Sequence, residues 1–340
     1  MSELKIDTGV RHGLSTKTAD LAAQAEAFGF DGVFAPELSS DPFMPLPVIA
    51  DRTEEIQLGT RIATSFTRSP MVLAYMAWDL QRFSDGRMTL GLGTQVKGHN
   101  VRRFSVDFEW KSPGPRLREE VLALRHIFDV FQGEAADLDF DGEFYQFSLM
   151  TEEFNPGPLE VGPPSIWTAG VNEYNIKMAG EVADALCMHA FNTPKYTEEV
   201  IVPLIEEGAA IGDRDPGDVE LSASPFLVTG ETEAERAAMR REAKERIAFY
   251  GSTRTYHDVL ELHGWKEVGM ELHELSKEGN WDEMTELVTD EMLDAFAVRA
   301  PPEDLADEIL DSYGGVADRV QLTFDGSDYW ADVLEALREA

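Results

Sequence analysis

A run of β type followed by a helical pattern recurs eight times along the chain, and this recurrence constrains the fold more than any other feature. Several runs are apolar almost throughout, as expected of parallel strands buried on both faces. The runs are residues 5–10, 31–35, 56–65, 87–92, 165–170, 183–188, 219–228 and 318–324. Strands that alternate with helices predict an α/β fold. Eight units favour a closed (β/α)8 barrel, with a doubly wound open sheet as the alternative.

Start and stop signals for helices lie between the runs. Helical spacing predicts helices over residues 16–28, 71–83 and 116–131, and a further helix that starts near Asn172. The first helix is followed by Gly29, a residue that readily takes the left-handed conformation of a helix end. Ser69-Pro70 places a capping side chain before a proline at the first helical position. The predicted helices therefore alternate with the runs, as a barrel requires.

Two connections are much longer than the few residues that usually join a strand to a helix. Residues 93–164 contain the helix over 116–131 and a predicted hairpin around Asp141-Gly142, and residues 229–317 are a series of acidic helices. We expect both to be excursions from a single domain that spans residues 1–340. Long excursions after strands usually line the mouth of a barrel. A contact surface between subunits is the alternative.

Acidic residues outnumber basic residues by 64 to 29, which gives a formal net charge of −35. The acids are spread over every segment rather than gathered in a tail. In molar salt the Debye length is about 3 Å, so their mutual repulsion is largely screened. We therefore expect a cytoplasmic protein of a high-salt organism. The charge argues against nucleic acid and anionic membranes as partners. We also find neither a signal peptide nor an apolar run of about 20 residues that could span a bilayer.

Several kinds of active site lack their residues in this sequence. Cys187 is the only cysteine, so an intramolecular disulfide and a cysteine-based zinc site are impossible. The seven histidines include no His-x-His or His-Glu-x-x-His pair, and we predict no metal site. A Gly-x-Ser-x-Gly elbow and a Gly-x-x-x-x-Gly-Lys phosphate loop are also missing.

Two strand ends carry residues suited to a bound cofactor. The segment Gly91-Leu92-Gly93-Thr94-Gln95 follows the fourth run, and its small residues let the backbone approach a planar ring or a phosphate closely. The fifth run leads through Gly170, Val171 and Asn172 into a helix, whose first free amides form an anion site. Either segment read alone is also compatible with an ordinary turn.

Charged side chains near these ends are the candidates for polar chemistry. The densest cluster of basic residues in this very acidic chain consists of Lys97, His99, Arg102 and Arg103. These residues are either the solvated start of a helix or a site for the anionic tail of a cofactor. Glu37, at the end of the second run, is the best-placed carboxylate, and an ordinary surface glutamate is its alternative interpretation.

Taken together, these motifs resemble the luciferase-like monooxygenase superfamily, particularly its oxidoreductases that depend on the deazaflavin coenzyme F-420. The resemblance implies a (β/α)8 barrel with an insertion after strand four, and it rests on the order and spacing of five segments. They are Leu58-Gly59-Thr60, Thr67-Arg68-Ser69-Pro70, Gly86-Arg87-Met88-Thr89-Leu90-Gly91-Leu92-Gly93-Thr94, Lys97-Gly98-His99-Asn100 and Ala179-Gly180-Glu181-Val182-Ala183-Asp184.

The resemblance also implies a cofactor site. In the family a non-prolyl cis peptide in strand three backs the flavin or deazaflavin ring, and the matching bond here joins Arg61 to Ile62. Thr64 and Ser65 follow toward the end of that strand. Gly93, Thr94 and Gln95 match positions along the ribityl chain, and the backbone near Gly170, Val171 and Asn172 matches the phosphate site. Lys97 and Arg103 are the candidates for the anionic tail.

The catalytic positions depart from the family pattern. Related deazaflavin enzymes often carry an Asp-His pair after strand two, whereas Glu37 and Leu38 stand there in this chain. A catalytic glutamate that follows strand four in some relatives falls near Val96. The candidate proton donors are therefore, in order, Glu37, Asp41, His99 and His12.

The resemblance implies an oxidoreductase that transfers a hydride between coenzyme F-420 and a small organic substrate. A monooxygenase that uses FMN and a separate flavin reductase is one alternative. A protein that binds a flavin or deazaflavin without turnover is another. Family members are commonly homodimers or homotetramers, and we expect one of these states here.

Overall fold

The computed structural model describes residues 4–10, 12–106 and 112–340. Eight parallel strands form a closed barrel in which every strand pairs with its neighbours in chain order and the last pairs with the first. The strands are β1 (Lys5–Gly9), β2 (Gly32–Ala35), β3 (Gln57–Thr64), β4 (Met88–Gly93), β5 (Ser165–Ala169), β6 (Ala185–Cys187), β7 (Glu220–Ala223) and β8 (Arg319–Leu322). The predicted (β/α)8 barrel is confirmed, and the open sheet is excluded.

Helices surround the barrel and fill both long connections. In the described residues they are α1 (Thr16–Phe28), α2 (Leu46–Arg52), α3 (Pro70–Phe83), α4 (Pro113–Gln132), α5 (Glu173–Val182), α6 (Pro194–Tyr196), α7 (Val202–Ile211), α8 (Glu233–Gly251), α9 (His257–Leu262), α10 (Lys266–Glu278), α11 (Trp281–Leu287), α12 (Asp290–Phe296), α13 (Leu305–Tyr313) and α14 (Tyr329–Glu339). The predicted stop at Gly29 is confirmed by its φ of 99°. The predicted cap of α3 is confirmed too, because the Ser69 hydroxyl accepts a hydrogen bond from Val72 N.

The seventh strand was predicted wrongly as one unit over residues 219–228. The barrel strand β7 stops at Ala223, and a separate strand, Phe226–Val228, pairs in parallel with Ala297–Arg299 outside the barrel. Pro225 lies between the two pieces, and because proline has no N–H it cannot continue a ladder in the middle of a sheet. The partner strand Ala297–Arg299 lies in the excursion that was predicted to be wholly helical. We call this pair of short strands the side ribbon.

The insertion after β4 carries α4 and a small hairpin of Phe140–Asp141 and Gln146–Phe147. The Glu119 carboxylate accepts hydrogen bonds from the amides of Glu143, Phe144 and Tyr145 at 2.6 to 2.8 Å, and so fixes the hairpin to α4.

The lower and middle parts of the barrel interior are filled with side chains. The Arg319 guanidinium donates to both carboxylate oxygens of Asp7, at 2.8 and 2.6 Å, and lies over the Trp167 ring. The ring centroids of Phe34 and Trp167 are 5.0 Å apart, and Cys187 belongs to the same buried cluster. This packing leaves the carboxyl ends of the strands as the place for a ligand.

Candidate functional site

The peptide bond between Arg61 and Ile62 is cis, at the position that the resemblance gives for the ring support. The pairing of β3 with β4 shifts register between Thr60 and Ala63, which brackets this bond. A Cβ added to Gly93 would lie 2.9 Å from Ile62 Cδ1. Glycine is therefore needed where the end of β4 passes the side chain that follows the cis bond.

The Arg61 side chain crosses the barrel. In a closed ring of eight strands, β3 and β7 lie opposite each other, and Arg61 Nη2 donates to Ser222 O at 2.9 Å, Ala223 O at 3.2 Å and Ser224 Oγ at 2.9 Å. Burial lowers the pKa of Arg61 from its ordinary value. The guanidinium thus forms part of the floor beneath the mouth.

Glu37 holds together the loops that follow β2 and β3. Its carboxylate accepts from Thr64 N at 2.6 Å and from both terminal nitrogens of Arg68 at 3.1 Å. Arg68 also donates to Asp41 at 2.5 Å. Although burial opposes it, the hydrogen bonds and charges of Glu37 and Asp41 raise the pKa of Arg68. Both oxygens of the first catalytic candidate are therefore engaged by protein donors.

The loop after β4 forms one rim of the mouth. Asn100 is buried, and its amide donates to Thr94 O at 2.9 Å and Val96 O at 3.3 Å. Gln95 takes a positive φ of 53°. Lys97, His99 and Arg103 are exposed on this rim. The Arg103 guanidinium donates to Leu38 O, which joins the rim to the loop after β2.

The end of β5 leads into α5 as predicted. The Asn172 side chain caps the helix by accepting from Asn175 N at 2.9 Å. Gly170 and Val171 line a small cavity together with His189, Asn192 and Tyr256. The amides that open a helix lack intrahelical partners, so this cavity lies beside backbone donors of the kind that an anion requires.

His189, two residues beyond the end of β6, is held as a neutral base. Burial lowers the pKa of His189 to about 4. Phe191 N donates to His189 Nδ1 at 3.0 Å, so the neutral ring carries its proton on Nε2. Nε2 lies 3.3 Å from the Tyr256 hydroxyl and donates to its oxygen, which leaves the Tyr256 proton for another acceptor.

A larger cavity of about 230 Å³ opens at the ends of β1, β6, β7 and β8. Its lining is mixed, with Gly9, Ser224 and Gln321 among the residues nearest the barrel and Phe226 and Tyr250 above them. This cavity lies across the mouth from the strand ends that the resemblance assigns to the cofactor.

Six of the fourteen unpartnered buried polar atoms in the described residues belong to barrel strands or to the residue that follows β3. These buried atoms have no hydrogen-bond partner among the described residues, and they are Arg61 Nη1, Thr64 Oγ1, Ser65 Oγ, Thr168 Oγ1, Ser222 Oγ and Gln321 Oε1. Buried polar groups are normally paired. The set contains donors and acceptors, and therefore fits a ligand with ring carbonyls and hydroxyl groups, such as a flavin or deazaflavin with its ribityl chain.

Apart from Arg61 and the segment Gly93-Thr94-Gln95, which are described above, the sequence-predicted residues form three groups, and Asp41 joins the first of them through Arg68. Ile62, Thr64, Ser65 and Glu37 meet at the end of β3, whereas Gly170, Val171 and Asn172 meet at the start of α5. Lys97, His99 and Arg103 stay on the outer rim, and His12 is also exposed.

Four further residues of the mouth were not predicted from the sequence, namely Arg68, Asn100, His189 and Tyr256. Only Arg68 and Asn100 had a signal, because both stand in segments that carry the family resemblance.

The described residues contain no group of three or more His, Cys, Asp or Glu side chains arranged to hold a metal ion. Nor does that part of the chain contain a helix with the length and apolar character needed to cross a membrane.

A family model described as luciferase-like monooxygenase matches residues 7–319. An uncharacterized protein of Mycobacterium tuberculosis is 43% identical over 317 residues, which cover 93% of this chain and 92% of that protein. A 5,10-methylenetetrahydromethanopterin reductase of Methanolobus tindarius is 27% identical over 302 residues, 87% of each chain. The solved structure of a coenzyme F-420-dependent tetrahydromethanopterin reductase from Methanopyrus kandleri has a TM-score of 0.78 and 22% identity, covering 99% of this chain and 97% of that one. At that identity the match shows a shared fold.

Proposed function

This chain belongs to the luciferase-like monooxygenase family, and from this premise we propose that it is an oxidoreductase that uses coenzyme F-420 to reduce or oxidise a small organic substrate. The observation that carries the proposal is the set of unpartnered buried polar atoms at the barrel mouth, which surrounds the cis peptide between Arg61 and Ile62. The names of the reductases from Methanolobus tindarius and Methanopyrus kandleri support the same class of reaction.

When bound, a deazaflavin supplies a ring carbon that takes up or releases a hydride. In our proposal Ile62 supports the ring, and the hydroxyls of Thr64 and Ser65 hydrogen-bond to it. Gly93, Thr94 and Gln95 contact the ribityl chain, while the backbone at Gly170, Val171 and Asn172 receives the phosphate. The side chains packed around Trp167 exclude water from below the mouth.

We assign Glu37 a positioning role in this proposal, because it binds Thr64 N and Arg68 with both oxygens. It thereby fixes the end of β3, where the cofactor would rest. Asp41, the second carboxylate bound by Arg68, contributes less to this positioning, because its side chain is 40% exposed whereas that of Glu37 is 5% exposed. Of the three predicted catalytic residues, His99 alone forms no hydrogen bond or ion pair with another described side chain, and its exposed position on the rim suits contact with a cofactor tail or substrate.

The proposal is tested by titrating the purified protein with coenzyme F-420 in high salt and following the coenzyme's fluorescence. We expect a saturable change. Thr64→Val should weaken binding without lowering stability, because Thr64 Oγ1 has no protein partner. Ser84→Ala is the matched control: it removes another unpartnered buried hydroxyl, at the end of α3. A wild-type protein whose coenzyme fluorescence stays constant to high micromolar concentration would contradict the proposal.

An FMN-dependent monooxygenase served by a flavin reductase is the second candidate function, and the description of the matching family favours it. A yellow protein that releases FMN on denaturation, and binds FMN more tightly than coenzyme F-420, would select this alternative. Tight binding of either cofactor without hydride transfer to any substrate would instead select a non-catalytic role. We also propose that the protein is a homodimer or homotetramer in a high-salt cytoplasm, to be tested by light scattering over a salt series.

A further inference from the structure

The Arg61 side chain is partly buried and has no acidic side chain of its own, because the Asp7 carboxylate, whose charge reaches it, is already bound by Arg319. Its hydrogen-bond acceptors are two backbone carbonyls, of Ser222 and Ala223, and the Ser224 hydroxyl, all of them neutral. No carboxylate of the described residues forms an ion pair with it. Its second terminal nitrogen, Nη1, is closed to solvent and has no hydrogen-bond partner in the described part of the chain.

Two other arginines of this chain have hydrogen-bond partners that compensate for the burial of their guanidinium groups. Arg319, inside the same barrel, donates twice to the Asp7 carboxylate. Arg87 uses all three of its nitrogens, which donate to five oxygens of Ala50, Thr53, Ile56 and Ser84. Arg61 has no carboxylate bound to it, and only its Nη2 donates to neutral oxygens, while Nη1 is left without an acceptor. A buried charge that lacks a partner is costly, so its presence beneath a ligand site indicates that a ligand supplies the missing group.

The atoms around the guanidinium suit an anionic oxygen. Ser224 Oγ accepts from Arg61, so its own proton is available to a ligand. Ser222 Oγ is buried and unpartnered. Ser224 and Gln321 line the cavity of about 230 Å³, and a Cβ on Gly9 would lie 2.6 Å from Gln321 Nε2, so the glycine leaves room for that amide.

We propose that Arg61, Ser222 and Ser224 form a binding site for an anionic oxygen of a ligand held at the barrel mouth. The oxygen comes either from the pyrimidine part of the cofactor ring or from a carboxylate of the substrate. The first source rests on the function proposed above, whereas the second is independent of the cofactor's identity. In both cases the guanidinium acts as a fixed positive charge whose Nη1 is closed to solvent, so its attraction is less screened than in bulk water.

The test compares wild type with Arg61→Met and Arg61→Lys, and uses Arg87→Met as the control for loss of a buried arginine away from the mouth. Circular dichroism and thermal unfolding establish that each variant is folded. Binding of oxidised and reduced coenzyme F-420 and FMN is measured by fluorescence or absorbance titration. Binding of sodium acetate, the carboxylate probe, to the ligand-free protein is measured by calorimetry at constant ionic strength.

If the ring supplies the oxygen, Arg61→Met weakens binding of the cofactor by about tenfold or more, because a charge-assisted hydrogen bond to that oxygen is lost. If a substrate carboxylate supplies it, cofactor binding is unchanged and acetate binding, present in wild type, falls by about tenfold. Arg61→Lys, which keeps the charge, should lose less than Arg61→Met in either case.

Unchanged affinities in Arg61→Met for both cofactors in both redox states and for acetate would overturn the proposal. Should Arg61→Met fail to fold, the Arg61→Lys variant decides by the same comparison with a smaller expected loss, because lysine keeps the charge but cannot reproduce the planar fork; unchanged affinities would then overturn the proposal. Failure of wild type to bind either cofactor would refute the proposed function alone, since the acetate titration still tests the anion site.

Discussion

Glu120 on α4 should make the stability of this protein fall as the pH rises. Its carboxyl group is completely buried, Oε1 has no partner among the described residues, and Oε2 accepts only one bond, of 3.3 Å, from the Tyr145 hydroxyl. Burial, which outweighs the Tyr145 hydrogen bond and the charge of Arg116, raises the pKa of Glu120 from 4.5 to about 8. The folded protein therefore holds a proton at neutral pH that the unfolded chain releases.

The sign and size of the effect follow from linkage. Below pH 4.5 the group is protonated in both states and folding takes up no proton. Between pH 4.5 and 8 folding takes up one proton, so the free energy of unfolding falls by about 1.4 kcal/mol for each pH unit. The accumulated loss is about 3 kcal/mol at pH 7 and levels off near roughly 5 kcal/mol above pH 8.

Glu120→Gln removes this proton uptake while its amide oxygen still accepts from Tyr145. We expect the variant's free energy of unfolding, relative to wild type, to rise by several kcal/mol between pH 5 and pH 9 and then to stay level. Denaturant unfolding at constant high salt measures it, with Glu119→Gln, a change to the neighbouring carboxylate that binds three backbone amides, as the control. A wild-type-to-variant difference that stays constant over this range would refute the reasoning, because Glu120 would then be ionised in the folded state.

Three further predictions concern the site and the surface. Glu37→Gln should lower the free energy of unfolding by about 3–5 kcal/mol, because Arg68 would lose its buried charge partner, whereas Asp41→Asn should cost at most about 1 kcal/mol; equal losses in denaturant unfolding would argue against a positioning role for Glu37. Because the pKa of His189 in the folded protein, about 4, lies below its ordinary value of 6.5, the free energy of unfolding should decline by up to about 3 kcal/mol as the pH falls from 6.5 to 4. His189→Asn should flatten that decline. A His189 ring seen by NMR to be protonated at pH 6 would contradict the assignment. The net charge of −35 should make the thermal midpoint rise steeply between about 0.1 and 2 M KCl; a midpoint independent of salt would remove the argument for a high-salt cytoplasm.

The barrel could be predicted from the sequence because its strands are local apolar runs with helices between them. The exception, the seventh strand, shows the limit of that signal: residues 219–228 are apolar enough for one long strand, but Pro225 divides them. The strand Ala297–Arg299 was missed because three residues are too few to show a period, and only its pairing with Phe226–Val228 makes it a strand.

The backbone parts of the candidate site were predictable, whereas the side-chain partnerships were not. The cap at Asn172 and the close passage of Gly93 depend on neighbours along the chain or on a family motif. The contacts of Arg61 with Ser222 and of His189 with Tyr256 join residues 161 and 67 positions apart. Such contacts depend on how the closed barrel brings its strand ends together, and no local pattern reports them.

The side ribbon has a consequence for how this fold can diversify. The chain leaves the barrel after β7 through Phe226–Val228 and returns through Ala297–Arg299. These two segments pair as strands, so the start and the end of the excursion are held side by side. The free-energy cost of closing a loop rises only slowly as the loop lengthens. Here the side ribbon fixes the two ends of the excursion, whatever the length of the segment between them. Helices α8 to α12 could therefore be exchanged for a longer or shorter segment while the register of β7 and β8 is kept. Residues of α8 line the larger cavity, and Tyr256 lines the small cavity beside Gly170 and Val171. Such an exchange would therefore remodel both cavities, whereas the ends of β3 and β4 do not belong to the exchanged segment.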